Sequence, residues 1–185
     1  ASKMGRDEAL EKAKAGLLYI LGIKREMGFD DVVLCMETMG RLSQLGTVDE
    51  VLSLCALDDA LLPALDFGHI NARGRGSLKT QADYAAVFDA VENALGSERL
   101  KNAHIHYSRI EYSAAGERRH WTLEDTQYGP EFAPLAAELA ARRLTPVVIC
   151  ESRGTMAHDA AEMKRMYEAA LAEKEGGGDL CDTGR

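Results

Sequence analysis

Four short apolar runs divide this chain, and their spacing limits its fold more than any other feature. Each run has the length and apolar character of a buried β-strand, and the runs span 31–37, 61–66, 102–107 and 146–151. Segments with helical periodicity lie between them. Strands that are joined through helices run parallel, and a parallel sheet needs cover on both faces. An open doubly wound sheet or part of a (β/α)₈ barrel satisfies both conditions.

The number of strands bears on the choice between these two architectures. A complete (β/α)₈ barrel has eight strands and takes about 250 residues, whereas this chain has 185 residues and four strand-like runs. A barrel interpretation therefore leaves four strands to be found. The sequence does not decide between truncation, disorder and a separate partner chain.

Helix signals support the alternation of strands with helices. Thr47 and Glu50 have the spacing of a capping box, Gly96 suits a left-handed C-terminal cap, and Pro130 suits the first turn of a helix. We expect one domain over residues 1–175 and a disordered tail over 176–185. The predicted helices span 7–27, 47–58, 80–96, 130–143 and 157–174.

Composition excludes several classes of protein. The formal net charge of −8 argues against a broad basic face for nucleic acid, so any such contact would be local and aided by cations. The sequence has no apolar run of about 18 residues and no secretory signal, and a cytoplasmic protein without membrane contact is expected. Cys35 and Cys150 lie in strand-like runs, which predicts buried, reduced thiols.

Metal-capable side chains recur at the strand ends. Each apolar run holds or ends on one of them, in the order Glu37, Asp66, His104 and Glu151. In parallel α/β folds the active site lies outside the carboxyl ends of the strands, so these side chains would converge there. Carboxylates packed that closely repel one another unless cations neutralise them. Mixed oxygen and imidazole ligands suit Zn²⁺, Mn²⁺ or Fe²⁺ better than Ca²⁺.

Three further histidines extend this pattern. Gly68 permits a tight turn that can return His69 toward Asp66. His104 and His106 are two residues apart and face the same side of a strand, and His106 is expected to support His104 rather than to bind metal itself. His120 lies in a polar segment that should form a loop at the mouth of the site.

These motifs together resemble the successive ligand motifs of the endonuclease IV family in its fifth to eighth strands. The resemblance covers about residues 5–170 and implies the C-terminal half of a xylose isomerase-like (β/α)₈ TIM barrel. The motifs are 34–38, 65–69, 104–109, 118–120 and 149–152.

The resemblance implies a role for each matching residue. Glu37 and Glu151 resemble carboxylates that bridge two zinc ions and are the implied catalytic residues. Asp66 and His104 resemble ligands of one of those ions, and His69 and His120 resemble ligands of a third zinc. The family also uses two histidines from earlier strands, which have no equivalents here.

Two departures from the family pattern concern the segment around His120. Arg118 stands where the family has an aspartate, and an arginine cannot bind a metal ion. Arg118 or Arg119 could instead neutralise phosphate charge. The Ile-Gly-x-Gly stretch of the family is replaced by residues 123–129.

Three functions follow as hypotheses. The resemblance implies a metal-dependent phosphodiester hydrolase that uses two or three zinc ions and acts on abasic DNA in DNA repair. The alternative is a sugar isomerase or epimerase of the same superfamily, with one divalent ion such as Mn²⁺ bound by the four strand-end residues. The third is a non-catalytic half-barrel that pairs with an N-terminal half-barrel or with a second copy.

Overall fold

The computed structural model describes residues 4–176. The strands are β1 (Leu34–Glu37), β2 (Leu61–Asp66), β3 (His104–Tyr107), β4 (Arg109–Ser113), β5 (Gly116–Trp121) and β6 (Val148–Cys150). The helices are α1 (Arg6–Glu26), α2 (Val48–Cys55), α3 (Phe67–Arg73), α4 (Gln81–Leu95), α5 (Ser97–Lys101), α6 (Phe132–Arg142) and α7 (Met156–Gly176).

One parallel sheet carries the fold. Its strand order is β1-β2-β3-β6, all three neighbouring pairs are parallel, and helices lie between its strands along the chain. The predicted α/β class is therefore confirmed, and four parallel strands fit part of a TIM barrel. The strands are shorter than the apolar runs, because residues 31–33 and 146–147 lie before the first residues of β1 and β6.

Several helix predictions need correction. The capping box of Thr47 and Glu50 is present. Pro130, however, is not in the first turn of a helix, because α6 begins only at Phe132. The short helices α3 and α5 were not predicted. The predicted disordered tail lies outside the described residues except for Gly176, which ends α7.

An antiparallel hairpin interrupts the alternation of strands and helices. β4 and β5 pair through residues that the sequence analysis assigned to a loop. Glu111 pairs with Arg119 while Tyr112 pairs with Glu117, so the register shifts by one residue and Arg118 is left unpaired in a β-bulge. The bulge changes which side chains of β5 share a face.

The main core lies between the sheet and helices α4, α6 and α7. The Phe67 ring lies 5.2 Å from Tyr84 and 5.6 Å from Phe88, in tilted and edge arrangements that favour aromatic pairs. A second, smaller cluster joins α1 and α2 to β1 and β2. Together these clusters hold β1, β2 and β3 in place below the strand ends.

The two outer strands of the sheet differ from the inner ones in exposure. Val33 beside β1 and Val147 and Ile149 at β6 are exposed apolar residues. Cys35 in β1 is exposed as well, contrary to the prediction, because its strand forms an edge, whereas Cys150 is buried as predicted. No helix within residues 4–176 combines the length and apolar character that crossing a membrane requires.

Candidate metal centre

Three strand ends and one strand interior bring four ligand-capable side chains together. Glu37 and Asp66 are the last residues of β1 and β2, and Glu151 follows β6. His106 in β3 places its Nδ1 3.3 Å from Glu37 Oε1 and 3.4 Å from Glu151 Oε1. The side chains thus converge at the carboxyl ends of the strands, as predicted. We call these four residues the strand-end group.

The positions of the two histidines of β3 are the reverse of those predicted. Glu37, Asp66 and His106 place ligand atoms within 4.8 Å of one another, and His104 belongs to no such group among the described residues. Asp66 pairs with His106 across β2 and β3, whereas His104 pairs with Ala64. Because inward-facing residues of a barrel form layers, His104 lies one layer below the strand ends, with its ring 5.2 Å from that of His106.

Burial strongly affects the carboxyl group of Asp66. The residue is 0% exposed, and this burial raises its pKa to about 7, helped by the negative charges of Glu151 and Glu37 and opposed by a hydrogen bond from the His69 backbone. Asp66 Oδ2 and His106 Nδ1 are buried and have no hydrogen-bond partner among the described residues. Unpaired buried acceptors next to carboxylates fit a bound cation.

A second group joins α3 to the hairpin. His69, Glu117 and His120 also place ligand atoms within 4.8 Å of one another, with His69 Nε2 3.5 Å from Glu117 Oε2 and His120 Nε2 4.0 Å from Glu117 Oε1. The tight turn predicted at Gly68 is instead the first turn of α3. Asp66 caps this helix, and its Oδ1 accepts a 2.8 Å hydrogen bond from the His69 backbone. We call these three residues the hairpin group.

Hydrogen bonds orient both imidazoles of the hairpin group. His69 Nδ1 donates to the Thr38 carbonyl at 2.9 Å, so Nε2 of the neutral ring keeps its lone pair and faces Glu117. His120 Nδ1 lies 2.8 Å from Ser108 Oγ, and when that nitrogen carries the proton, His120 Nε2 is likewise left for a ligand role. Both contacts involve buried residues, Thr38 and Ser108.

The bulge explains why Glu117 belongs to the hairpin group. In a regular strand, residues three apart point to opposite faces, and Glu117 and His120 would be separated. The unpaired Arg118 resets this alternation. Position 117 therefore places a carboxylate beside His69 and His120, although position 118 holds an arginine.

The two arginines of this segment lie on the outside of the hairpin. Arg118 is exposed and forms an ion pair with Glu111 at 3.0 Å, and the Arg119 guanidinium lies 5.4 Å from the centre of the Trp121 ring. Their contribution to phosphate binding stays a prediction.

The loop that follows β1 forms backbone hydrogen bonds to the hairpin beside the hairpin group. Glu117 N donates to the Gly40 carbonyl and Leu42 N to the Ala115 carbonyl, both at 3.1 Å. A Cβ on Gly40 would lie 2.5 Å from Glu117 Cβ, so only glycine permits this approach. Arg73 fixes the same loop by donating to the carbonyls of residues 39, 41 and 44.

The two groups are adjacent. His69 Nδ1 lies 3.2 Å from Asp66 Oδ2, and Glu151 extends Oε1 toward His106 and Oε2 to 3.8 Å from His120 Nδ1. Glu151 therefore lies beside a histidine of each group.

Comparison with known protein families complements the geometry of the site. The model of the xylose isomerase-like TIM barrel family matches residues 1–171. The chain belongs to this family.

Two proteins similar to this xylose isomerase-like chain are informative. An uncharacterized protein of Methanocaldococcus jannaschii is 33% identical over 165 residues, which are 89% of this chain and 59% of the relative. The crystal structure of endonuclease IV from Thermus thermophilus is similar with a TM-score of 0.60 at 24% identity, over 89% of this chain and 58% of that one. This chain thus spans less than two thirds of either protein, and the structural likeness shows the fold.

Sequence reasoning missed one member of the candidate metal centre and placed another differently from the structure. Glu117 was passed over because the segment was expected to be a loop, although the run Gly116–Trp121 between two turn signals fits a strand. His106 was ranked behind His104 because the register between β2 and β3 is not visible in the sequence. The remaining predicted ligands, Glu37, Asp66, His69, His120 and Glu151, lie in the two groups or directly beside them.

Proposed function

We propose that this chain carries the metal centre of a metal-dependent phosphodiester hydrolase that resembles endonuclease IV. The observation that supports this function is the presence of two adjacent ligand groups, since centres with more than one ion are suited to displacement at phosphorus. Abasic DNA is the proposed substrate, and DNA repair the proposed process.

The proposed ligands follow from the geometry. Glu37, Asp66, His106 and Glu151 would hold the ion or ions of the strand-end group, and His69, Glu117 and His120 a further ion. Imidazole nitrogens mixed with carboxylate oxygens favour Zn²⁺, with Mn²⁺ as the alternative.

Two carboxylates are proposed as the catalytic residues. When bound, the cations supply Lewis-acid activation of water and offset negative charge at phosphorus. The side chains of Glu37 and Glu151 are 35% and 33% exposed, in contrast to that of Asp66. They can therefore reach a water at the mouth of the site, orient it and accept its proton. Asp66 is too deeply buried for this role and acts as a ligand.

A sugar isomerase or epimerase is the second candidate. The strand-end group alone offers enough ligands for a single divalent ion, and a net charge of −8 suits a small neutral substrate better than DNA. In this reaction Glu37 and Glu151 would transfer protons beside a carbonyl group.

We further propose that four more strands cover the exposed apolar residues at β1 and β6. A TIM barrel has eight parallel strands, and an open edge favours association. These strands would come from an N-terminal half-barrel, or a second copy of the chain would supply them.

Metal analysis combined with activity separates these functions. We expect more than one zinc ion per chain and cleavage of a DNA duplex at an abasic site, with cleavage reduced by at least about 100-fold in Glu151→Gln. One manganese ion per chain, together with interconversion of an aldose and a ketose, would establish the sugar reaction instead. Intact abasic DNA in the presence of fully loaded protein would refute the hydrolase proposal.

A further inference from the structure

A separate cleft lies on the flank of the hairpin, beside the metal centre. It has a volume of about 490 Å³, within the range of about 300–1,000 Å³ that small-molecule sites occupy. The connection between α3 and α4, the strand β4 and the segment before α6 form its walls. Its lining includes Asn71, Lys79, Tyr112, Gln127 and Tyr128.

Asn71 presents a hydrogen-bond donor to this cleft. The residue is 1% exposed, and its Oδ1 accepts a 3.1 Å hydrogen bond from Leu78 N. This contact fixes the orientation of the amide, because a backbone N–H can only donate. The amide nitrogen of Asn71 makes no hydrogen bond among the described residues and is not fully enclosed, so it is available to a ligand in the cleft.

Two further donors line the same cleft. The Lys79 ammonium and the Tyr112 hydroxyl have no ion-pair or hydrogen-bond partner within residues 4–176. A Cβ on Gly76 would lie 2.5 Å from the Tyr112 hydroxyl oxygen, so glycine at this position gives the hydroxyl its place in the wall. Asn71, Lys79 and Tyr112 thus offer hydrogen-bond donors from three different elements.

The carboxylate of Glu131, which lies in the lining of the cleft, is already neutralised. Glu131 accepts two hydrogen bonds from Arg109, at 2.6 and 2.7 Å, in the paired geometry that arginine forms with carboxylates. It therefore does not cancel the positive charge of Lys79. The cleft combines the exposed Lys79 ammonium, neutral donors and the rings of Tyr112 and Tyr128.

We propose that this cleft binds a small molecule through a carboxylate or phosphate group, which Asn71, Lys79 and Tyr112 hold by hydrogen bonds. Ionised acceptors form the strongest bonds to such donors. The site is independent of bound metal but borders the metal centre, because α3 carries both His69 and Asn71 and Tyr112 pairs with Glu117 across the hairpin.

Titration of the metal-free full chain, kept in a chelator, tests this site. Inorganic phosphate and benzoate are the two ligands to be titrated, by calorimetry and by amide chemical shifts. We expect saturable binding of at least one, weakened about tenfold by Lys79→Met and by Asn71→Asp. The aspartate keeps the acceptor for Leu78 N but replaces the amide donor by a negative charge. Lys12→Met, which removes an exposed lysine on α1, serves as the control.

Each outcome decides the proposal. Binding of phosphate alone identifies a phosphate ligand, and binding of benzoate alone identifies a carboxylate ligand. Absence of both, or binding that Lys79→Met leaves unchanged, overturns the site. Tyr112→Phe, at a partly exposed residue, provides a second variant if Asn71→Asp does not fold. Because this titration is done without metal, a negative result does not bear on the hydrolase proposal. Metal analysis and the cleavage assay test that proposal separately.

Discussion

The strand-end group and the hairpin group lie side by side but arise from different structural rules. The strand-end group follows from the parallel sheet, because the carboxyl ends of neighbouring strands meet at one rim. The hairpin group depends on a short helix, a capping carboxylate and a bulge at Arg118. One set of ligands is therefore fixed by the architecture, and the other by local irregularities that a few residues determine.

This difference has consequences for how the two groups respond to change. Asp66 is buried in the sheet. The free-energy cost of a charged carboxylate at this position therefore lowers the stability of the whole fold. Glu117 and His120 lie on a two-stranded hairpin, and a change there should affect one ion with little effect on folding. The predictions below test this contrast.

Asp66→Asn should have the largest effect and should act in two directions. We expect the affinity of the strand-end group for zinc to fall by on the order of 100-fold or more. In the metal-free protein the same change should stabilise the fold at pH 8 by about 2–4 kcal/mol, because a folded pKa of about 7 lies roughly three units above the unfolded value.

The pH dependence of the free energy of unfolding shows the direction in which the buried carboxyl of Asp66 changes stability. Because the folded pKa of Asp66 is raised, the metal-free folded state binds more protons than the unfolded state between about pH 4 and 7. Its free energy of unfolding should fall as pH rises through that window, and Asp66→Asn should lack this fall. Urea unfolding in a chelator at pH 4.5 and 8 measures this fall, and parallel pH profiles for the two proteins would contradict a pKa of Asp66 that burial raises.

Glu117→Gln should affect the hairpin group alone. We expect the affinity for its ion to fall by about 100-fold while the strand-end group stays loaded. Arg118→Gln is the matched control, one residue away on the bulge, and should change metal affinity by less than about twofold. Zinc competition with a chelating dye measures both variants. Loss of the ion in Arg118→Gln instead would mean that the bulge places residue 118, not residue 117, in the centre.

Ser108→Ala should have the smallest effect. It removes the 2.8 Å contact to His120 Nδ1. The affinity of the hairpin group for its ion should fall by about tenfold, since such supporting contacts orient a ligand without touching the ion. Ser53→Ala, which removes a hydroxyl bonded to the Glu50 carbonyl in α2, should leave zinc affinity unchanged. Equal losses in the two variants would show a general loss of stability.

The fold was predictable because its signals are repetitive. Four apolar runs alternating with helical periodicity determine a parallel sheet, and the ends of β1 and β2 fell at Glu37 and Asp66 as expected. Helix starts were visible where a side chain caps the backbone, as at Thr47.

The finer details of the site depend on pairing between distant segments. Whether His104 or His106 reaches the strand-end group is decided by the register between β2 and β3, which requires the positions of two strands at once. The role of Glu117 required knowing that a polar stretch forms a strand with an extra residue. Pro130 was misplaced because a proline is compatible with a helix start as well as with the turn before it.

The bulge at Arg118 also separates position in the sequence from position in space. A chain that carries an acid two residues before the histidine on a regular strand and one that carries it three residues before on a bulged strand can place a carboxylate on the same face of the hairpin. An arginine at the first of these positions is therefore compatible with a carboxylate beside the histidine. Absence of an acid from its customary place in such a motif is then no sign of a lost ligand.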